Sequence, residues 1–201
     1  ALMRTILQSE TYQRSSIPLK ENSGDTRFYS RYFTKRLMAE VLLDTISEVT
    51  GVPTDLKTET ARGAAASTSY PAGLRALQLP DSNIDSYFLK TFGQPLREKT
   101  CECERTAEPN VTQVLHLANG DTINKKLEAK DNAVGKWLEK KLPNERIIDE
   151  AYLSALNRPP SKREQERFLK VLNEAKPEEL RPLVEDMVWA MLSSKEFLFN
   201  H

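Results

Sequence analysis

The chain has 201 residues, and its 29 lysines and arginines balance its 29 aspartates and glutamates, so its formal net charge is zero. A neutral chain lacks the basic surface by which proteins bind nucleic acids nonspecifically, so no nucleic-acid partner is expected. No apolar run approaches the roughly 18 residues that a membrane-spanning helix needs, and we expect no membrane insertion. The length suffices for a core without disulfides or metals, and we predict a single domain over residues 1–201.

The first 80 residues predict two helices and a long irregular segment. Apolar residues at helical spacing predict an amphipathic helix over Leu2 to Tyr12. After a polar loop, Thr34 can cap a second helix, whose apolar residues recur at helical spacing as far as Gly51. The Thr-, Ala- and Ser-rich stretch from Thr54 to Pro80 predicts a functional loop or a flexible excursion. Within it, only Leu74 to Leu79 alternates enough to suggest a strand.

The middle of the chain predicts several helices. A short one through Phe88 ends at Gly93, and Asn110 can cap another that Gly120 closes. A more charged helix is predicted from Ile123 to Trp137, although the glycine at position 135 weakens that prediction.

The C-terminal third predicts further helices. Asn144 can cap one, and Ser161 begins another with Glu164 three residues later, which is a capping box. Pro177 and Pro182 are predicted to bracket a turn before the last helix. Few strands are expected, so the predicted fold class is all-α, an irregular multi-helix bundle with a long loop excursion and little or no sheet.

The most unusual local pattern is a Cys-x-Cys pair at Cys101 and Cys103. Two thiols two residues apart can project to the same side of an extended chain, where they could chelate a metal or form a strained local disulfide. A zinc tetrad would need both cysteines and both histidines of the chain, His116 and His201. Reduced cysteines packed against the protein are the third alternative. The metal candidates are therefore Cys101, Cys103 and His116.

His116 lies between two leucines, where an imidazole could be a ligand, a base or a satisfied core group. Nothing in the sequence presents a nucleophilic serine on a Gly-x-Ser-x-Gly turn, and no glycine-rich phosphate loop occurs. No catalytic residue and no nucleotide cofactor is therefore predicted.

A stripe of charged residues accompanies the second helix. Arg36, Glu40 and Asp44 are four residues apart and so share one helical face. They predict either a solvated face or a buried polar network with arginines from Arg75, Arg97 or Arg105. A third alternative is a calcium site, in which Glu40 and Asp44 join two further acids, Glu102 and Glu104.

The C-terminal tail is rich in aromatic residues, with Trp189, Phe197 and Phe199 close to the end of the chain. A terminus with such residues is predicted to be docked rather than frayed. It can dock on its own core, which we favour, or on a neighbouring domain.

Taken in order, these patterns resemble a planctomycete-specific domain of unknown function. That domain forms the C-terminal part of large exported proteins, which often also carry a planctomycete-type cytochrome c domain. The resemblance runs nearly end to end. The residues that carry it are Arg36-Leu37-x-Ala39-Glu40, Asp44, Gly51, Arg75-Ala76, Gln78-Leu79-Pro80-Asp81, Phe92-Gly93, Pro95, Arg97, Cys101-Glu102-Cys103-Glu104-Arg105, Gln113-x-Leu115-His116-Leu117-x-Asn119-Gly120, Tyr152-Leu153, Leu156, Arg158, Pro160, Glu164, Trp189-Ala190, Glu196-Phe197 and Asn200-His201.

The resemblance implies an exported, periplasmic or cell-surface setting, with partner domains in the same polypeptide. Any haem would be carried by another domain of that polypeptide, and no activity is implied. Our leading hypothesis is a non-enzymatic helical module that packs against those domains and exposes an apolar patch. The alternative is a metal-binding or hydrolase-like domain centred on the Cys-x-Cys segment and His116, with zinc or calcium as its metal.

Overall fold

A computed structural model describes residues 1–58, 68–96, 105 and 108–200, and within them the chain is mostly helical. The predicted all-α class is therefore confirmed. In chain order the elements are α1 (Leu2–Leu7), β1 (Lys35–Arg36), α2 (Ala39–Thr50), a 3₁₀ turn (Ala76–Gln78), α3 (Tyr87–Thr91), α4 (Val111–Asn119), α5 (Asp121–Glu128), α6 (Ala133–Glu139), α7 (Asn144–Leu156), α8 (Lys162–Glu174), α9 (Pro177–Leu192), α10 (Lys195–Leu198) and β2 (Phe199–Asn200). The longest of these helices, α9, has 16 residues, and none of the described helices combines the length and apolar character needed to cross a membrane.

The core forms around α2. Its apolar residues recur at helical spacing, so one face of the helix is fully buried, with Leu42, Leu43 and Ile46 at most 1% exposed. Helices α3, α5, α6 and α7 all contact α2. Helices α8 and α9 pack against α7 and against each other. In α9, Met187 and Met191 are buried.

Local capping residues place two helix starts where the sequence predicts them. The Asn110 side chain accepts a hydrogen bond from the Gln113 backbone N–H at 2.9 Å, and the Gln113 side chain returns to the Asn110 backbone. Ser161 and Glu164 form the predicted capping box at the start of α8. Reciprocal bonds of this kind satisfy backbone donors that have no partner inside the helix.

The two helices predicted in the N-terminal part are shorter than expected. Helix α1 ends at Leu7 instead of Tyr12, and none of its residues is buried, so its apolar stripe packs on no core. Helix α2 begins at Ala39 with Met38 at its N-cap, and the prediction that Thr34 caps it is wrong. The physical reason is that Lys35 and Arg36, which follow Thr34, pair as strand β1 and are extended.

The prediction of a turn between Pro177 and Pro182 is also wrong, because both prolines lie within α9. Pro177 occupies the first helical position, where a backbone N–H would have no partner and the fixed φ of proline suits the helix. Pro182 lies in the second turn and removes one backbone hydrogen bond without ending the helix.

The single helix predicted from Ile123 to Trp137 is divided into α5 and α6. Asn132, fully buried at the break, accepts from the Gly135 N–H at 2.7 Å and donates to the Leu127 carbonyl. Gly135 is required here because a Cβ at this position would collide with the carbonyl oxygen of Lys130. The glycine that weakens the helix prediction is therefore a packing residue at the start of α6.

The excursion from Thr54 to Pro80 is described over residues 54–58 and 68–80. Isolated bridges pair Lys57 with Ser69 and Thr58 with Ile84, and Leu56 and Leu79 are buried. These parts are irregular, as predicted, but they pack on the core. The segment suggested as a strand, Leu74 to Leu79, instead contains the 3₁₀ turn.

The C-terminal tail docks on its own chain, as we favoured. Strand β2 pairs antiparallel with β1, with Lys35 opposite Asn200 and Arg36 opposite Phe199. Phe197 is 4% exposed and belongs to the core. The pairing thus joins the region just before α2 to the end of the described chain.

Candidate functional site

The charged stripe on α2 forms a buried ion pair. Arg105 holds the Glu40 carboxylate with two hydrogen bonds, Nη1 to Oε2 at 2.7 Å and Nη2 to Oε1 at 3.2 Å. The side chain of Glu40 is 4% exposed and that of Arg105 is 20% exposed. Glu40 lies in the first turn of α2, where the helix dipole also favours a negative charge. Of the predicted arginine partners that the structure describes, Arg75 and Arg105, it is Arg105 that contacts Glu40.

Asp44 has a different role from the predicted ion pair. Its two carboxylate oxygens accept hydrogen bonds from the backbone N–H groups of Ala76 at 2.6 Å and Leu77 at 3.1 Å. The Arg75 guanidinium lies 4.0 Å away on a side chain that is 66% exposed, so the ion pair contributes little. Asp44 therefore caps the 3₁₀ turn and fixes the excursion to α2.

The prediction that Arg36 shares the helical face of Glu40 and Asp44 is wrong, because Arg36 lies in strand β1, before α2 begins, and packs next to α3. Its Nη2 donates to the Phe92 carbonyl oxygen at 3.0 Å, and the guanidinium lies 5.4 Å from the centre of the Phe92 ring. Burial lowers the pKa of Arg36. The residue fixes the strand β1 against the end of α3.

The other members of the predicted sites lie outside the described residues. These are Cys101, Cys103, Glu102, Glu104 and Arg97, and the second histidine at position 201 is outside them as well. Within the described part of the chain, no group of three or more His, Cys, Asp or Glu residues is arranged to hold a metal ion. The predicted zinc and calcium sites remain predictions.

His116 packs into an aromatic environment near the C-terminal end of α4. Its ring centre lies 5.3 Å from that of Tyr87, 5.6 Å from Phe88 and 6.3 Å from Phe92. Its Nε2 is hydrogen-bonded to the Thr122 hydroxyl at 2.9 Å. Burial lowers the pKa of His116, which favours the neutral imidazole. His116 is therefore half-buried, with its imidazole hydrogen-bonded to the start of α5.

His116 also lines a cleft of about 700 Å³, which we call the His116 cleft. Its walls are formed by the loop after α2, the start of α3 and the junction of α4 and α5. The lining residues are Leu43, Val52, Pro53, Thr54, Asp55, Ser86, Tyr87, Phe88, His116, Gly120, Asp121, Thr122, Lys125 and Lys126. The cleft combines an apolar wall with ionisable groups, which is the composition expected of a ligand pocket.

Two adjacent lysines of the His116 cleft have opposite environments. Lys126 is 7% exposed and its Nζ donates to the Val52 carbonyl oxygen at 2.6 Å. Burial lowers the pKa of Lys126 from 10.5 to about 8. Lys125 is exposed and pairs with Asp121 at 2.6 Å, which raises its pKa. Sequence reasoning missed Lys126, although its spacing from Ile123 places it on the buried face of α5.

A second polar cluster that sequence reasoning missed joins α7, α8 and α10. Arg158 donates to the carboxylates of both Glu164 and Glu196 at 2.5 to 3.0 Å, and its guanidinium lies 5.2 Å from the centre of the Tyr152 ring. Hydrogen bonds from Arg158 hold the pKa of Glu164 well below its usual range. Burial, with the nearby Glu164 charge, raises the pKa of Tyr152 to about 12. The cluster fixes the tail to the α7–α8 connection.

The N-terminal arm, residues 1–31, presents the most exposed apolar side chains. Several of its polar groups bond within the arm: the Asp25 carboxylate accepts from the backbone N–H groups of Arg27, Phe28 and Ser30, and Arg14 donates to the Tyr29 carbonyl. Its large apolar residues nonetheless face outward. The exposed ones are Leu2, Met3, Ile6, Leu7, Tyr12, Ile17, Leu19, Phe28 and Tyr29.

Comparison with known proteins identifies the family. The family model described as PSD1, a protein of unknown function (DUF1553), matches residues 1–172. The matched region includes the arm, the Glu40–Arg105 pair and the His116 cleft, and it ends within α8. No curated protein and no solved structure matches the chain.

Proposed function

We propose that this chain, which belongs to the DUF1553 family of proteins of unknown function, is a helical interaction module that docks on another domain of the same polypeptide through its N-terminal arm. The resemblance of its motifs to a C-terminal domain of large exported proteins supplies the partner, a domain upstream in an exported protein. The observation that carries the proposal is that no residue of α1 is buried.

The arm is suited to docking because its polar and apolar groups are separated. Hydrogen bonds within the arm pair backbone N–H groups of its turns with the Asp25 carboxylate. Met3 and Phe28, by contrast, are 81% and 83% exposed. A group of outward-facing apolar side chains of this kind is typical of an interaction surface. By contrast, the aromatic tail is already docked on the core through Phe197. The arm is thus the apolar segment that gains most from a partner.

Hydrogen exchange tests the proposal. A helix of six residues has little stability of its own, so the α1 amides should exchange rapidly in the isolated chain. In the full parent polypeptide, docking should slow their exchange by about tenfold or more, which corresponds to roughly 1.4 kcal/mol of added protection. Equal exchange of α1 in the two proteins would refute the proposal. Exchange in α7 should be the same in both and provides the internal reference.

Two matched variants separate docking from a general effect of charge. Ile6 on α1 and Val171 on α8 are 49% and 47% exposed. In the parent polypeptide, Ile6→Asp should abolish the added protection of α1, whereas Val171→Asp should leave it unchanged.

Sedimentation of the isolated chain tests whether the arm instead docks on a second copy of this chain. A dimer that Ile6→Asp dissociates would overturn the assignment to another domain.

A further inference from the structure

We propose that a second cleft, between the N-terminal arm and the tail, binds an organic anion, meaning a carboxylate, sulfate ester or phosphate ester attached to a larger group. This arm–tail cleft has a volume of about 700 Å³. Its arm side is lined by Ser16, Ile17, Pro18 and Arg31, and Thr34 lies just beyond the arm. Its tail side is lined by Lys195, Glu196 and Phe199. The cleft lies partly in the arm, but none of the residues that line it belongs to α1.

The guanidinium of Arg31 is the main anchor. Its Nε is buried and makes no hydrogen bond among the described residues. The group lies 4.9 Å from the centre of the Phe33 ring, a contact that holds the guanidinium in place. Arg31 also lines the cleft, so an oxyanion bound there places its oxygens beside the guanidinium. Arginine is well suited to this because its fork of N–H groups matches carboxylate, sulfate and phosphate oxygens.

The remaining charges of the cleft also favour an anion. Lys195, at the start of α10, makes no ion pair within the described part of the chain and adds a second positive charge. Ser16 and Thr34 contribute hydroxyl groups. The carboxylate that lines the cleft, Glu196, is bound by Arg158 at 2.5 Å. Arg158 therefore balances the charge of Glu196, and the positive charges of Arg31 and Lys195 dominate the cleft.

The size and apolar part of the cleft indicate that the anion belongs to a larger molecule. A volume of about 700 Å³ is in the usual range of ligand pockets and far exceeds that of a bare oxyanion. Ile17, Pro18 and Phe199 line the rest of the cleft with apolar surface. A ligand with one oxyanion and an apolar or aromatic body fits both parts.

Isothermal titration calorimetry with phenyl phosphate, phenyl sulfate and benzoate tests the proposal and identifies the anion. At least one should bind the wild-type chain, and neutral benzyl alcohol should not. Loss of one charged hydrogen bond in Arg31→Gln should weaken binding about tenfold or more. The control, Arg27→Gln, removes an exposed arginine of the same arm that does not line the cleft and should have little effect.

Three results would overturn the proposal: no binding of any of the three anions, equal weakening by Arg27→Gln, or binding of inorganic phosphate as tight as that of phenyl phosphate. The last result would show that no organic body is recognised. Because Arg31→Gln could disturb the arm, Lys195→Gln provides a second test from the opposite wall, and it should also weaken binding. Circular dichroism checks that each variant is folded. None of these outcomes depends on docking of α1.

Discussion

Replacing Lys126 with methionine tests the energetic role of the buried ammonium in the His116 cleft. The folded state lowers the pKa of Lys126 from 10.5 to about 8, so the unfolded chain binds the proton more tightly. At pH 7 this difference destabilises the fold by about 3 kcal/mol, given 1.36 kcal/mol for each pKa unit. The unfolded state binds more protons between pH 8 and 10.5, so this contribution makes the wild type more stable as the pH rises through that range.

Methionine keeps an unbranched side chain but removes both the charge and the bond to the Val52 carbonyl. Loss of that bond costs about 1 kcal/mol, so Lys126→Met should be more stable than the wild type by about 2 kcal/mol at pH 7. By pH 10 most of the advantage should vanish, because the wild-type lysine is then neutral when folded and partly neutral when unfolded. The difference between the two proteins should therefore change by about 2.5 kcal/mol between pH 7 and 10.

Urea denaturation monitored by circular dichroism at pH 7, 8, 9 and 10 measures this difference. The matched control is Lys125→Met, which changes the neighbouring exposed lysine, whose pKa is raised by Asp121. That variant should keep the wild-type rise in stability above pH 8. A wild-type minus Lys126→Met difference that stays constant within about 0.5 kcal/mol would refute the assigned environment of Lys126.

Three further substitutions test the packing described above, each by urea denaturation. Glu40→Gln should destabilise the chain by roughly 3 kcal/mol because it removes the charge of the buried carboxylate that Arg105 binds, and a loss below about 1 kcal/mol would contradict the buried pair. Gly120→Ala should cost about 1 to 3 kcal/mol, since the added Cβ would lie 2.7 Å from His116 Nδ1 and against its carbonyl oxygen. Asn132→Ala removes the cap of α6 and the buried hydrogen bond to the Leu127 carbonyl, so the free energy of unfolding should fall by about 2 kcal/mol or more. An unchanged urea midpoint would exclude that role for Asn132.

Helix starts are predictable from sequence where the stabilising bonds are local. Asn110 and Ser161 cap their helices by bonding to residues three positions later, so a run of four residues contains the whole pattern. Pro182 shows where local reasoning fails. A proline can end a helix or lie in its early turns, and the choice depends on the packing of the helix it belongs to, which two isolated prolines do not reveal.

The polar stripe on α2 shows a second limit. Spacing alone identifies Glu40 and Asp44 as neighbours on one face, but their partners come from segments 65 and 32 residues away. Which arginine reaches Glu40 depends on how the intervening chain returns to α2. That Asp44 binds backbone N–H groups and pairs only weakly with Arg75 is likewise set by the path of the excursion.

Lys126 is a residue that stricter pattern reading would have found. It lies three positions after Ile123 and next to Leu127, so the helical period places its side chain on the buried face of α5. A charged residue at such a position has to find an acceptor, here the Val52 carbonyl beyond the end of α2. The identity of that acceptor could not be predicted, because it comes from a separate helix end.

The β1–β2 pair also determines how this part of the chain responds to mechanical load. Lys35 faces Asn200, so the chain enters the pair on one strand beside the point where it leaves on the other. Tension applied at these two points pulls the strands apart from that end, and their hydrogen bonds break one after another instead of sharing the force. Such tension should therefore separate Phe199 and Asn200 from β1 first, while Phe197 and the Arg158 cluster still hold α10 on the core.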